Sequence, residues 1–201
     1  MTTVKVNEFY HNMNEALKHV GQSYEQLDRV FLTGRDGKLY IQTTDRLVMA
    51  TAVIDAPGIA DTTVNVGATQ IKQALAMLRV SGRARKTDAS PLEVTLDAEA
   101  LTIEGVPPMK SEDHALTPKA LSKIVRDLVI NDVSVTFPAE RIGGPKGWSV
   151  VVYPTGEHLS PLVTFCNKAP LNVWVYGQCS KMPTGKRNEL SNIADALKGE
   201  Q

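Results

Sequence analysis

The chain has 201 residues, enough for one large domain or two small ones, either able to bury a core. Charged residues make up 22% and hydrophobic ones 42%, the balance of an ordinary globular protein. With 22 bases against 22 acids, a strongly basic DNA-coating protein is excluded, so any contact with a polyanion must come from a local patch.

Residues 3–6 alternate as a short strand, and Asn7 is placed to cap a helix. Phe9, Met13, Ala16, Leu17 and Val20 recur at helical spacing, and Gly21 ends the run. Strands are expected over 29–33, 38–44 and 47–54. Arg35-Asp36-Gly37 is a hairpin turn signal, because Asp-Gly supplies the positive φ such turns need. Ala56-Pro57-Gly58 breaks the pattern. A strand over 63–66 then leads through Gly67 into a second helix over 68–79, with Ile71, Leu75 and Leu78 inward. Residues 81–90 form a polar, basic loop, and 92–96 with 100–104 make a hairpin around Asp97-Ala98-Glu99. A strand-helix-strands unit thus occurs twice in residues 3–105.

Pro107-Pro108 marks 106–113 as the linker. Thr117 can cap a third helix with Pro118 at its first position, and Leu121, Ile124, Val125 and Leu128 facing inward. Strands follow over 133–137, 148–153, 162–166 and 172–176. A last amphipathic helix over 186–198 carries Leu190, Ile193, Ala194 and Leu197.

The helices carry bases opposite their apolar faces. Lys119, Lys123 and Arg126 stand at i, i+4 and i+7; Lys72 and Arg79 are related by i, i+7; Lys18 is the main base of the first helix. Flexible point charges of this kind hold phosphates without reading sequence. A solvated helix face shows the same pattern, so spacing alone leaves both readings open.

Signals for catalysis are weak. His11 and His19 lack the spacing of a helical zinc site, Glu157-His158 reads as a turn, and the loop Gly143-Gly144-Pro145-Lys146-Gly147 lacks the order of a phosphate loop. An enzyme acting at Glu157 and His158 finds no second catalytic group beside them. Cys166 and Cys179 match no metal or redox spacing, so no metal or cofactor is expected. Gln26-Leu27-Asp28-Arg29-Val30-Phe31 partly matches a peptide that docks on bacterial sliding clamps, but it overlaps a strand in which Val30 and Leu32 belong to the core. No apolar run approaches the roughly 20 residues of a membrane span, and the start is unlike a signal peptide, so a cytoplasmic location with no membrane partner is expected.

Three stretches in order resemble a domain of the bacterial DNA polymerase sliding clamp, the β subunit. Gly37-Lys38-Leu39-Tyr40-Ile41-Gln42-Thr43-Thr44-Asp45 is similar to that family's G-x-L-x-L-x-x-T-D hairpin. Thr63-Val64-Asn65-Val66-Gly67-Ala68-Thr69-Gln70-Ile71 resembles its V-x-V-P-A-x-x-L strand-to-helix junction, with Gly67 at the usual proline. Leu92-Glu93-Val94-Thr95-Leu96 and Ala100-Leu101-Thr102-Ile103-Glu104 resemble its next hairpin. Over 114–166 the likeness is thinner, carried by His114-Ala115-Leu116-Thr117-Pro118-Lys119-Ala120-Leu121 and the Tyr153-Pro154-Thr155-Gly156 turn.

The resemblance implies an α+β, DNA clamp-like fold with antiparallel sheets and helices on one face. It divides the chain into a clamp-like domain over 1–107, a shortened second one over 114–180 and a tail helix over 181–201. It implies a non-enzymatic processivity factor or clamp homologue, of phage or plasmid size, tethering a DNA polymerase or another replication or transcription protein to duplex DNA. A bacterial β chain has three such domains and this chain has room for about two at most, so a homo-oligomer, dimer or trimer, is the expected route to a ring. Lys18, Lys72, Arg79, Lys119, Lys123 and Arg126 would face the DNA. The alternative is a clamp-fold interaction module or regulator that does not encircle DNA and docks through Leu190, Ile193 and Leu197.

Overall fold

A computed structural model describes residues 2–21, 27–45, 48–112, 135–152 and 161–178. Strand β1 (Thr2–Lys5) leads directly into helix α1 (Val6–Ala16), which tightens into a 3-10 turn over Leu17–His19. Strands β2 (Arg29–Arg35), β3 (Lys38–Thr44) and β4 (Val48–Asp55) follow. Then come β5 (Thr63–Gly67) and α2 (Ala68–Val80), followed by β6 (Pro91–Leu96), β7 (Ala100–Ile103) and the two-residue β8 (Met109–Lys110). The strand-helix-strands unit therefore does occur twice, with elements close to the expected bounds.

Each unit lends its first strand to the other. β1 pairs with β6 at the edge of a four-stranded sheet, β1-β6-β7-β8, while β5 pairs with β2 in the larger sheet. This exchange locks the two units into one body whose sheets share a core with both helices. The alternation expected of half-buried strands shows in the register. Leu39, Ile41 and Thr43 of β3 stand opposite Ile54, Ala52 and Ala50 of β4, all toward the helices. Phe9, Met13 and Ala16 of α1 and Ile71, Ala74 and Leu78 of α2 fill the space against them, all almost wholly buried. Burying Phe9 alone contributes on the order of 2–3 kcal/mol. The β2–β3 turn uses positive φ at both Asp36 (50°) and Gly37 (70°), as the Asp-Gly signal requires.

The later strands extend the first body's sheet. β9 (Val135–Pro138), β10 (Ser149–Val152), β11 (Pro161–Cys166) and β12 (Val173–Gln178) form an antiparallel series whose last member pairs with β4. The result is one eight-stranded sheet, β5-β2-β3-β4-β12-β11-β10-β9. Polar bonds reinforce the join. Asn12 of α1 donates to Pro170 O (2.7 Å) and accepts from Asn172 N (2.8 Å), while Asn172 and Val53 exchange bonds through Val53 N (3.1 Å) and Asn172 Nδ2 (3.3 Å). On the sheet face away from α1, Phe165 and Trp174 touch with ring centroids 3.9 Å apart.

Two sequence expectations need correction. Asn7 does not cap α1: Lys5 holds the cap position without a side-chain bond, because β1 runs straight into the helix. Asn7 instead lies in the first turn and donates from Nδ2 to Lys86 O (2.9 Å). The described part of the expected 106–113 linker, residues 106–112, is also no free linker. β8 interrupts it, Ser111 and Glu112 bond both backbone groups of Asn65 on the β5 edge, and Arg29 meets Glu112 at 2.6 Å. A sheet edge left open would invite foreign strands, and this segment covers it.

Candidate nucleic-acid interface

Helix α2 forms because Ala68, Ile71, Ala74, Leu75 and Leu78 place a continuous apolar stripe on the sheets, in a segment rich in alanine and leucine. The opposite face presents Lys72 and Arg79, both exposed. Neither has an ion-pair partner among the described residues. Between and beside them lie Met77, 45% exposed, and Val80, 89% exposed, so the outer face of α2 is cationic and apolar by turns.

α1 differs. Lys5 is paired with Glu8 (2.8 Å), and Lys18 with Glu15 (2.5 Å). Lys18 stands in the 3-10 turn rather than on the helix proper, and its charge is answered locally. The remaining expected cations, Lys119, Lys123 and Arg126, lie outside the described residues, as do Leu190, Ile193 and Leu197 and the Glu157-His158 turn.

The loop leaving α2 adds residues that helical spacing could not find. Ser81 Oγ bonds Leu78 O (2.8 Å), Arg83 N bonds Leu78 O (3.1 Å), and Gly82 takes a left-handed φ of 78° to turn the chain. Arg83 folds back onto Pro91 O (2.5 Å) and Glu104 (3.2 Å). Arg85 and Lys86 remain exposed and without an ionic partner among the described residues. One sequence signal would have revealed them. Between Asp61 and Asp88 the chain carries five bases and no acid.

His11 and His19 are both held below the ordinary histidine range. Burial is the main cause for each; Lys86 adds to it at His11, and Glu15 and Asp45 oppose it at His19. Among the described residues no group of three His, Cys, Asp or Glu could hold a metal. The 143–147 loop is closed to phosphate. Gly143 N and Gly144 N bond the carbonyls of Glu140 and Ala139, and Gly147 N bonds the Glu140 carboxylate at 2.9 Å. Val30 and Leu32 are fully buried, and so are Leu27 and Phe31, which removes the peptide around them from any docking role. Cys166 is a buried free thiol. No helix among the described residues is long and apolar enough to cross a membrane.

No protein-family model and no curated protein matches the sequence. Solved structures do match the fold. The DNA polymerase III β subunit of Thermotoga maritima superposes with a TM-score of 0.56 at 14% identity, covering 92% of this chain and 66% of that one. A DNA polymerase sliding clamp of Pseudomonas aeruginosa gives 0.59 at 8% identity, covering 93% and 67%. The Helicobacter pylori β clamp, solved with a DNA ligase peptide, gives 0.51 at 8% identity, covering 92% and 68%. This chain thus spans about two thirds of the length of the β subunits it matches. Interlocked strand-helix-strands units, an eight-stranded sheet continued by a later segment, and these superpositions agree: the chain has the α+β fold of the bacterial DNA sliding clamps.

Proposed function

We propose that this chain is a non-enzymatic, clamp-like protein that tethers partners to duplex DNA without reading its sequence. One observation carries the reading: a clamp fold whose α2 turns unpaired Lys72 and Arg79 outward from the sheets. Lys119, Lys123 and Arg126 extend that cationic surface in this reading, and Lys18, already paired with Glu15, contributes least. A chain two thirds the length of a β subunit closes around DNA as a homo-oligomer, dimer or trimer. The H. pylori clamp was solved with a DNA ligase peptide, which supports a polymerase or another replication or transcription protein as the tethered partner here. Leu190, Ile193 and Leu197 are its proposed anchors, and the cytoplasm is the proposed location.

The test is duplex binding at low ionic strength, on linear and on nicked circular DNA. Binding to both, with salt-resistant retention on the circle alone, is the expected result for encirclement. Absence of binding to either form ends the proposal. Lys119→Glu combined with Lys123→Glu should weaken binding to all sequences alike.

A further inference from the structure

Loop 81–90 is built more firmly than a solvated connection requires. Three bonds fasten it to the start of α1: Val6 N to Ser90 O (3.0 Å), Asn7 N to Asp88 O (3.1 Å) and Asn7 Nδ2 to Lys86 O (2.9 Å). At its other end, Gly82 N bonds Arg79 O (3.1 Å) and Arg83 N bonds Leu78 O (3.1 Å), so the loop continues directly from the last turn of α2. Asp88 Oδ1 accepts from Ser90 N (3.0 Å), which occupies the loop's one acid in its own turn. Arg83 is committed to Pro91 O and Glu104. Arg85 and Lys86 remain exposed, with no carboxylate within 4.0 Å among the described residues, although the Ser90 hydrogen bonds, helped by Arg85 from farther away, hold the Asp88 carboxyl low.

Among the described residues, Lys38, Lys110, Arg141, Lys146 and Lys168 also lack an ion pair, but they are scattered over separate strands and turns. Lys5, Lys18, Arg29 and Arg35 each stand within 4.0 Å of a carboxylate. Carrying Arg79, Arg85 and Lys86 exposed and without an ion pair, along one stretch of backbone tied at both ends, suits a polyanion whose phosphates recur along a line. We infer that loop 81–90 is a fixed phosphate-binding shelf, on which Arg85 and Lys86 join Arg79 in gripping the backbone of duplex DNA. This rests on the DNA-tethering reading above, and it extends the grip of α2 into the loop that follows it.

The test is fluorescence anisotropy with a labelled duplex across a series of salt concentrations. Three proteins are compared: the full chain, its Arg85→Glu/Lys86→Glu variant, and a control with the same charge change elsewhere, Lys38→Glu/Lys168→Glu. All four positions are exposed, so folding is retained. The shelf variant should bind roughly 10- to 100-fold more weakly near about 100 mM salt, and its log–log salt slope should flatten by about 1.8, the loss of two phosphate contacts. The control should keep the slope of the parent chain. If the parent binds and shelf and control variants weaken equally, the shelf is refuted while DNA tethering stands. If the parent does not bind duplex at all, tethering itself fails and the shelf with it.

Discussion

Asn12 sits on the buried side of α1 with its amide reaching across to the later strands. Its Nδ2 donates to Glu8 O and Pro170 O, each at 2.7 Å, and its Oδ1 accepts from Asn172 N. At 1% exposure no water can replace these bonds. Asn12→Ala should therefore cost about 2–4 kcal/mol, since it strands a buried donor and acceptor, and urea denaturation measures the loss. Gly34 is constrained differently. A Cβ built there would lie 2.1 Å from Ala60 O, which is backbone and cannot swing away. Gly34→Ala should destabilise by about 1–3 kcal/mol in the same assay, and unchanged stability would show that the 57–62 turn yields freely. His19 carries a pH signature. Burial holds it neutral in the folded protein, with Glu15 and Asp45 opposing and Lys18 assisting. Its folded value lies below the ordinary 6.5, so its contribution is complete above that pH and is lost as pH falls through it toward the folded value. Melting temperature should drop between pH 7.5 and 5.5, and His19→Gln should flatten that part of the profile.

At the scale of the element, β12 is the piece on which the later strands depend. It lies between β4 and β11 and exchanges bonds with both. Val175→Pro removes a ladder donor in a strand that is not an edge. Hydrogen exchange should then show protection lost across 161–178 while β6 and β7 keep theirs; uniform protection would mean that β12 is dispensable. Most elements could be read from the sequence because local patterns decide them. Alternation set β2, β3 and β7, the Asp36-Gly37 pair set their hairpin, and helical spacing of Ile71, Leu75 and Leu78 set α2. Pairing across the chain could not be read so. Nothing in Val173 or Ala52 announces that they are partners, and the exchange of β1 and β5 between sheets is a tertiary choice. Asn7 was misjudged for the same reason. Its Nδ2 answers a loop 79 residues away, and its Oδ1 takes only the N–H of the next residue, Glu8. Helical spacing located Lys72 and Arg79 but passed over Arg85 and Lys86, because their alignment comes from a turn and its ties rather than from a period.

For the whole molecule, zero net charge hides an uneven distribution. Lys5 and Lys18 are answered within one helical turn and Arg83 by Glu104, whereas Lys72, Arg79, Arg85 and Lys86 have no ion pair among the described residues. Unpaired cations release counterions when they meet phosphates, so affinity for duplex should fall steeply with salt even though the protein as a whole is neutral. The join between β4 and β12 carries a further consequence, one for biosynthesis. As the chain leaves the ribosome, β1 to β8 are complete long before β12 exists, and the rim of β4 waits with its backbone groups unanswered. That interval is a window for pairing with the wrong neighbour. A chain arrested before Val173 should precipitate where the finished protein does not, and light scattering of such arrested products would reveal whether β12 is also the molecule's safeguard against self-association.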